Sequence, residues 1–516
     1  MRGARVILIP AVLLLAGITL DDGSARPSTA RIVKHYTTAD RVSGRYQYVP
    51  FEVPPGTTRL QIAYDYDRAN GDNVVDLGLF QPGVLDLGTS AFRGYSGGAR
   101  KSLDITETSA TPGYQAGPIP PGRWHVLLGL YKVSAAGVDV TIDVATAPRG
   151  LGLAASDESA RTAPAASASA RERSGELRRD LAVPTSGREG GPGWFMGALH
   201  THTLHSDGTI APADLLQMTR KAGFDFVAIT DHNNTTHRAE LTRGALERTP
   251  LWIAGEEVTT PNGHASVWGL DEGEWVDFRV RAEDGTIHDL VSSAHRFGAL
   301  FSINHPASDC VGCGWTHEIP ADVDAIEVSN GRHGEVAGAL ALWDRLLMEG
   351  RRITGVGSSD WHAAPNPIDV ANARVYAASL TENAILAGIR AGHVIVMNGA
   401  RHATPSIAVR TGDQSATVGS SLTISPANRI EIDIRAESLP NGRVAVVSNG
   451  QRDAPVPLDG RGEAHIQKRA EPGYVRFELS AADGTLVALA NPVYLRVPTS
   501  SASSASSADR SSGEAR

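Results

Sequence analysis

Cysteine is nearly absent: the 516 residues contain two, Cys310 and Cys313. A disulfide-built scaffold is thereby excluded. Within Asp309-Cys-Val-Gly-Cys-Gly314 the pair reads first as a local disulfide, second as half of a metal site, and third as a redox couple. No strand–CxxC–helix context accompanies the third reading. Long apolar runs are also scarce. Val6 to Leu20 is one; it follows Arg2 and Arg5, contains Pro10 and is short for a membrane span. It matches a secretory signal, cleaved near Ala25 or Ala30, with an uncleaved anchor as the alternative. No stable membrane span is expected after cleavage, and a secreted or periplasmic location follows. An excess of positive charge is lacking: 48 basic residues stand against 57 acidic ones, for a net charge of −9. That argues against a nucleic-acid partner. Neither a P-loop nor a strand-to-helix nucleophile elbow is present, so NTPase and serine-hydrolase chemistry lack support.

At this length several domains are expected. Residues 1–30 form the signal. Residues 31–148 lack helical periodicity and carry alternating runs, Tyr46 to Val53, Arg59 to Tyr66, Trp124 to Tyr131 and Val138 to Val144, separated by Pro-Gly and Gly-Gly turns. That is the pattern of an antiparallel β-sandwich, either a plain packing domain or a module that contacts glycan. Residues 149–190 are rich in Ala, Ser, Arg and Pro and read as a linker. From 191 to 400 strand-like and helix-like segments alternate, which implies βα units with parallel strands and chemistry at the strands' carboxyl ends. Residues 401–498 return to β character as a second small β-domain. The Ser/Ala-rich tail, 499–516, reads as disordered.

What is abundant is a set of imidazoles and carboxylates at those strand ends. After Trp194 to Leu199 comes His200-Thr-His202-Thr-Leu-His205-Ser-Asp207-Gly. Residues two apart on a strand share a face, so His200 and His202 present their rings together. Alone, this is as well read as a His-rich turn. After Phe226 to Thr230 come Asp231 and His232; after Leu251 to Ala254 come Glu256 and Glu257; after Ala299 to Asn304 comes His305-Pro306; after Ile353 to Val356 come Asp360 and His362, again two apart. Five such ends would converge on one mouth. Buried charges need partners, and divalent cations are the natural ones. Glu327 and Asn330 end another strand, with Arg332 and His333 after them; these residues contact substrate or serve only as strand-end hydrogen-bonding groups.

His-x-His-x3-Ser-Asp-Gly, Ile-Thr-Asp-His-Asn, the Gly-x-Glu strand end, His-Pro and Gly-Ser-Ser-Asp-x-His resemble the motifs of the PHP (polymerase and histidinol phosphatase) superfamily. With the signal and the flanking β-domains, the chain is most similar to the exported CehA/McbA-type metallohydrolases. The motifs cover about 191–400. The resemblance implies an α/β fold, a distorted seven-stranded (βα) barrel between two β-sandwich-like domains, holding two or three divalent ions (Zn, Mn or Fe). It places His200, His202, Glu257 and Asp360 on one ion, with Glu257 bridging to a second that His305 also holds, and His264 at the position of a further ligand of the second. Asp207, His232 and His362 would hold a third. Asp231 is expected to orient an imidazole, with Arg332 and His333 as further catalytic candidates and Arg374 as a candidate phosphate contact. The activity implied is hydrolysis of a small-molecule ester, phosphoester or carbamate/carboxylic ester. The alternative is a metal-retaining but non-catalytic envelope protein with glycan-binding β-domains.

Overall fold

The computed structural model describes residues 27–148, 163–164, 191–243, 250–333, 336–399, 403–425 and 428–498. The signal segment up to residue 26, the 499–516 tail and all of the linker except 163–164 lie outside the described residues. The N-terminal part is two antiparallel sheets. One runs, in spatial order, Ser28–Tyr36, Val138–Pro148, Thr57–Tyr66, Ser102–Thr106, Ser109–Ala110 and Ala163–Pro164; the other runs Tyr46–Val53, Gly122–Lys132, Val74–Phe80 and Phe92–Gly97. Alternation decides what faces inward. Leu60, Ile62, Tyr64 and Tyr66 of one sheet meet Val75, Leu77, Trp124, Val126 and Leu128 of the other in a shared core.

The central part is one mixed sheet. Its strands are β1 (Gly193–Ala198), β2 (Phe226–Ile229), β3 (Leu251–Thr260), β4 (Gly263–Trp268), β5 (Leu300–Ile303), β6 (Ala325–Asn330), β7 (Thr354–Ser358), β8 (Ala371–Ala377) and β9 (Val394–Asn398), ordered β7-β6-β5-β4-β3-β2-β1-β8-β9. Phe226–Ile229 and Leu300–Ile303 are buried at every position, as strands covered on both faces must be. Helices α1 (Pro212–Lys221), α2 (His237–Arg243), α3 (Ile287–Arg296), α4 (Val336–Met348) and α5 (Glu382–Arg390) complete it. In α3 the buried residues Ile287, Leu290, Val291 and Ala294 form the i, i+3, i+4, i+7 stripe of an amphipathic helix; burying each of the larger ones contributes roughly 1.5–3 kcal/mol.

One expectation is corrected here. The strands are not a uniform parallel βα series. Pairs β1–β2, β2–β3, β5–β6 and β6–β7 are parallel, but β3–β4, β4–β5 and β1–β8 are antiparallel. The physical reason is a hairpin: Pro261-Asn262 turns β3 straight back into β4 without a crossover helix. The fold is therefore sheet-rich, and among the described residues no ladder pairs β7 with β1. The segments just past them do meet, through a parallel bridge between Thr201 and Trp361 and through Ser358, whose Oγ accepts from Leu199 N and donates to His200 O. The C-terminal β region adjoins the central sheet. Its strand Leu486–Arg496 pairs with β9, extending the central sheet through Gly473–Ser480 to Arg443–Ser448. A separate sheet of Gln414–Ala416, Thr404–Thr411, Arg429–Glu437 and Glu463–Arg469 packs on it, with Ile395 and Met397 of β9 inside their common core.

Candidate metal centre

β3 supplies the centre's middle. It runs six residues beyond the expected end at Ala254, so Glu256 and Glu257 lie within the strand and face opposite ways. Glu256 turns into the core, where one oxygen accepts from Val276 N at 2.8 Å and burial pushes its carboxyl up to about 8. Glu257 turns to the site and is fully buried. Its oxygens lie 3.1 Å from His200 Nε2, 3.6 Å from His202 Nε2, 2.7 Å from His232 Nδ1, 3.3 Å from His264 Nδ1 and 3.3 Å from His305 Nε2.

Asp360 closes the group from beyond β7. Its Oδ1 lies 3.1 Å from His202 Nε2 and 3.4 Å from His200 Nε2, and its Oδ2 lies 3.3 Å from His333 Nε2. A third carboxylate, Asp207, faces His362 Nε2 at 3.2 Å and His232 Nε2 at 3.6 Å. Asp207 is the open edge: its side chain is 43% exposed, against 0% for Glu257 and 3% for Asp360. His305 and Asp360 hold left-handed backbone, with φ of 26° and 52°. Non-glycine residues there cost about 1–3 kcal/mol and persist where surroundings over-determine them, often at functional sites.

Supporting groups aim these ligands. Glu327 Oε1 lies 3.0 Å from His200 Nδ1, leaving Nε2 to face the cluster, and Glu327 Oε2 accepts from His305 N and Asn330 Nδ2. Asn304 Nδ2 donates to Glu257 Oε1, and Thr259 Oγ1 lies 2.6 Å from His232 Nδ1. Asn304 and Thr259 escaped the sequence reading. Asn304 directly precedes His305 at a strand end, which was the available signal; nothing local marked Thr259.

The protonation of the centre follows from its charges. Burial works against the charged form of His232, but Glu257 and Asp207 outweigh it and lift it to about 9. Burial, then His362 and His232, lower His202 to about 3; burial lowers His264 to about 4 despite Glu257. Both are neutral at pH 7, the form in which imidazole ligates. Burial opposes ionisation of Glu257 and Asp360, yet His200 and its neighbours hold both well below the usual carboxylate range.

The residues fit divalent ions. His200 Nε2, Glu257 Oε2, both nitrogens of His264 and His362 Nε2 are buried without an aligned hydrogen bond, although carboxylate oxygens or nitrogens stand within 3.6 Å of most of them. Leaving such groups unsatisfied costs about 1–3 kcal/mol each. Ligand atoms about 2.0–2.2 Å from one ion stand roughly 3.0–3.5 Å from each other, which is the spacing seen here. Among the described residues four ligand groups lie in this centre: His202, Asp207, His232 and His362; His200, His202 and Glu257; His200, His305 and Asp360; and His232, Glu257 and His264; a fifth, Cys310, Cys313 and His333, stands beside it.

Other candidates fall elsewhere. Asp231 meets these ligands through its backbone carbonyl, which accepts from Glu257 N at 3.1 Å, while its carboxylate bonds elsewhere. It accepts from Thr203 N, Thr203 Oγ1 and Ser206 Oγ, each at 2.7 Å, and lies 3.0 Å from His237 Nδ1. The imidazole it orients is thus His237, because adjacent strand residues point apart. Arg332 is exposed, while His333 joins Asp360 and also meets Ser308 Oγ at 3.0 Å. Arg374 stacks over Trp194 at the opposite end of β1, so it cannot serve as the anion contact. Cys310 and Cys313 are joined in a disulfide. The string Gly94-Tyr-Ser-Gly-Gly98 carries the letters of a nucleophile elbow, but Ser96 is buried in a strand against the Tyr114 hydroxyl.

No family model and no curated protein matches the chain. Solved structures do. A two-domain protein from Bacteroides vulgatus, containing a predicted PHP-like metal-dependent phosphoesterase, is 16% identical with a TM-score of 0.33, over 58% of this chain and 96% of its own. A putative metal-dependent phosphoesterase from Bifidobacterium adolescentis is 18% identical (TM-score 0.25), over 33% and 90%. An amidohydrolase from Chromobacterium violaceum is 17% identical (TM-score 0.25), over 33% and 89%. Likeness at this distance assigns no activity; the convergence of three carboxylates and seven imidazoles from separate strand ends describes the centre.

Proposed function

We propose that this chain is a metal-dependent hydrolase of the PHP superfamily, similar to the exported CehA/McbA-type enzymes, cleaving an ester bond with water. The observation that carries the reading is the buried group around Glu257 and Asp360, in which His200 Nε2, Glu257 Oε2 and both nitrogens of His264 have no aligned hydrogen bond while carboxylate oxygens stand at ligand separations from His200 and His264. His200, His202, Glu257, His264, His305 and Asp360 would hold the inner ions, and Asp207, His232 and His362 the outer one, two or three in all, as zinc, manganese or iron. When bound, such ions lower the pKa of water and stabilise charge developing on the attacked group.

The chain's own residues do the rest. Glu327 fixes the tautomer and aim of His200, and Asn304 the aim of the Glu257 carboxylate. Substrate arrives on the Asp207 side, where the centre meets solvent. His333 is 18% exposed, with Nε2 3.3 Å from Asp360 Oδ2, and is placed to contact the substrate. The mixed sheet reads as a distorted seven-stranded barrel, a reading supported by the Thr201–Trp361 bridge. Export rests on the apolar run Val6 to Leu20 behind Arg2 and Arg5, the pattern of a secretory signal. The bond cleaved belongs to a phosphoester or a carbamate/carboxylic ester, water adding to the phosphoryl or acyl group and the alcohol leaving. Metal analysis together with turnover of aryl phosphate, phosphodiester and aryl carbamate esters tests the reading, with His200→Ala alongside. The variant should lose one ion and most activity; unchanged metal content at full activity sinks the assignment.

A further inference from the structure

We infer that the N-terminal β-sandwich is a working wall of the outer metal group, coupled to it through Asn234; this rests on the metal-centre reading above. Asn234 is fully buried, and its side chain uses every hydrogen-bonding position it has. Its Nδ2 donates to the carbonyls of Tyr95 and Gly113, both in the sandwich, the latter at 2.9 Å. Its Oδ1 accepts from Thr236 N at 2.8 Å and Thr236 Oγ1 at 2.6 Å. A side chain from the central sheet thus completes the backbone of another domain.

The sandwich is shaped to offer those two carbonyls. Gly94 and Tyr114 form an isolated bridge, and a Cβ on Gly94 would stand 2.2 Å from Gly113 O. Only glycine allows that approach. Gly113 has φ of +97°, and its carbonyl also accepts from Tyr95 N. Its own N–H points to His205 Nδ1 at 3.3 Å. His205 in turn lies 2.6 Å from Thr236 Oγ1 and 2.9 Å from Glu240 Oε2. Beside it, Arg100 of the sandwich donates to Leu204 O.

Both clamped segments carry outer ligands. The first, 203–206, leads directly into Asp207. The second, 231–236, carries His232, and the next residue, Asn233, exchanges hydrogen bonds with Thr259. The two residues after His232 are therefore anchored in turn, Asn233 on β3 and Asn234 on the sandwich. The inner ligands His200, His305 and Asp360 are aimed by Glu327 and neighbouring strand ends, without the sandwich. Loosening the clamp should weaken the outer group and spare the inner one. Asn234 and Thr236 are positioning residues, since neither faces the ligand cluster.

The test compares full-length wild type, Asn234→Asp, Thr236→Val and Gly113→Ala after chelator stripping. Zinc and manganese are titrated back separately, with bound metal counted by elemental analysis. Asn234→Asp sets a carboxylate against two carbonyls at unchanged shape. Gly113→Ala disturbs the clamp from the sandwich side, where its Cβ would meet His205 O at 3.0 Å and Asn234 Nδ2 at 3.3 Å. Thr236→Val is the gentlest, because Thr236 N still donates. The weakest-bound equivalent should lose at least about tenfold affinity in Asn234→Asp, less in Thr236→Val, while the tightest equivalent stays within about twofold. Wild-type affinities for every equivalent in folded Thr236→Val and Gly113→Ala would overturn the coupling, as would equal weakening of all equivalents. A wild type that binds no metal would instead sink the metal-centre reading itself.

Discussion

Replacing Glu257 by glutamine removes one charge and almost no shape. The amide oxygen can still accept from Asn304 Nδ2, as Oε1 does now. What disappears is the carboxylate that stands 2.7–3.6 Å from nitrogens of five histidines. Two unit charges about 4 Å apart, at an effective dielectric near 20, interact by about 4 kcal/mol. A cation held by this group should therefore bind at least about a hundredfold more weakly in Glu257→Gln. Titration of stripped protein against a competing chromophoric chelator reads the affinity. Thermal unfolding of the metal-free forms checks that the variant folds. His232 should also titrate lower in the metal-free variant, since Glu257 is the largest influence raising it. A folded Glu257→Gln with wild-type affinity and metal content would refute the reasoning, because the centre's middle would then not be this carboxylate.

Other consequences can be measured with the same protein. Metal should raise thermal stability, by about 2.7 kcal/mol at a free concentration one hundred times Kd, and chelation should reverse it; an unfolding midpoint indifferent to chelator contradicts this. Binding should expel protons, because His232 is held at about 9 in the metal-free protein. Apparent affinity should then rise with pH up to about 9, near tenfold per pH unit for each proton released, and calorimetry in buffers of different ionisation enthalpy counts those protons. Away from the centre, burial pushes the Asp76 carboxyl up to about 6 against the Tyr95 hydroxyl. The neutral form favours folding below the ordinary carboxylate range, and that contribution is lost as pH rises through 6. Asp76→Asn should accordingly stabilise the fold by at most about 3 kcal/mol at pH 8 and by almost nothing at pH 4, read by denaturant unfolding at the two pH values. Asp344→Ala removes one of the two carboxylates that hold Arg476, which is 2% exposed and keeps Glu478; a loss of about 1–3 kcal/mol is expected from chemical denaturation.

Much of the secondary structure was legible because burial writes periodicity into sequence. The stretch Tyr46–Val53 alternates and is a strand over the same residues. Pro212 opens α1, and Gly223, at φ +77°, follows its end. What misled was continuity. Leu251 to Ala254 looked complete because apolar residues stop there, yet β3 continues through Glu256 and Glu257, whose polarity is absorbed by Val276 N on one face and by five imidazoles on the other. Composition also hid the sharing of β9 with the C-terminal sheet, since long-range pairing leaves no local mark.

At the centre, spacing exposes the pairs and conceals the supports. His200 and His202 stand two apart, and their rings lie 5.0 Å from each other. Asp231 and His232 are neighbours and face apart, so Asp231 braces the 203–206 turn instead. Strand-end position marked Glu327 and could have marked Asn304, but the partners of both, and of Asn234, are distant in sequence, and no local pattern names them.

The most direct measurement is the metal content of the full-length protein after gel filtration, with the ions located by anomalous scattering. Two or three divalent ions within the Glu257–Asp360–Asp207 cluster, with ester hydrolysis abolished by chelation and restored by metal, are the predicted result. Ions bound elsewhere, or hydrolysis that survives complete removal of metal, would contradict the account.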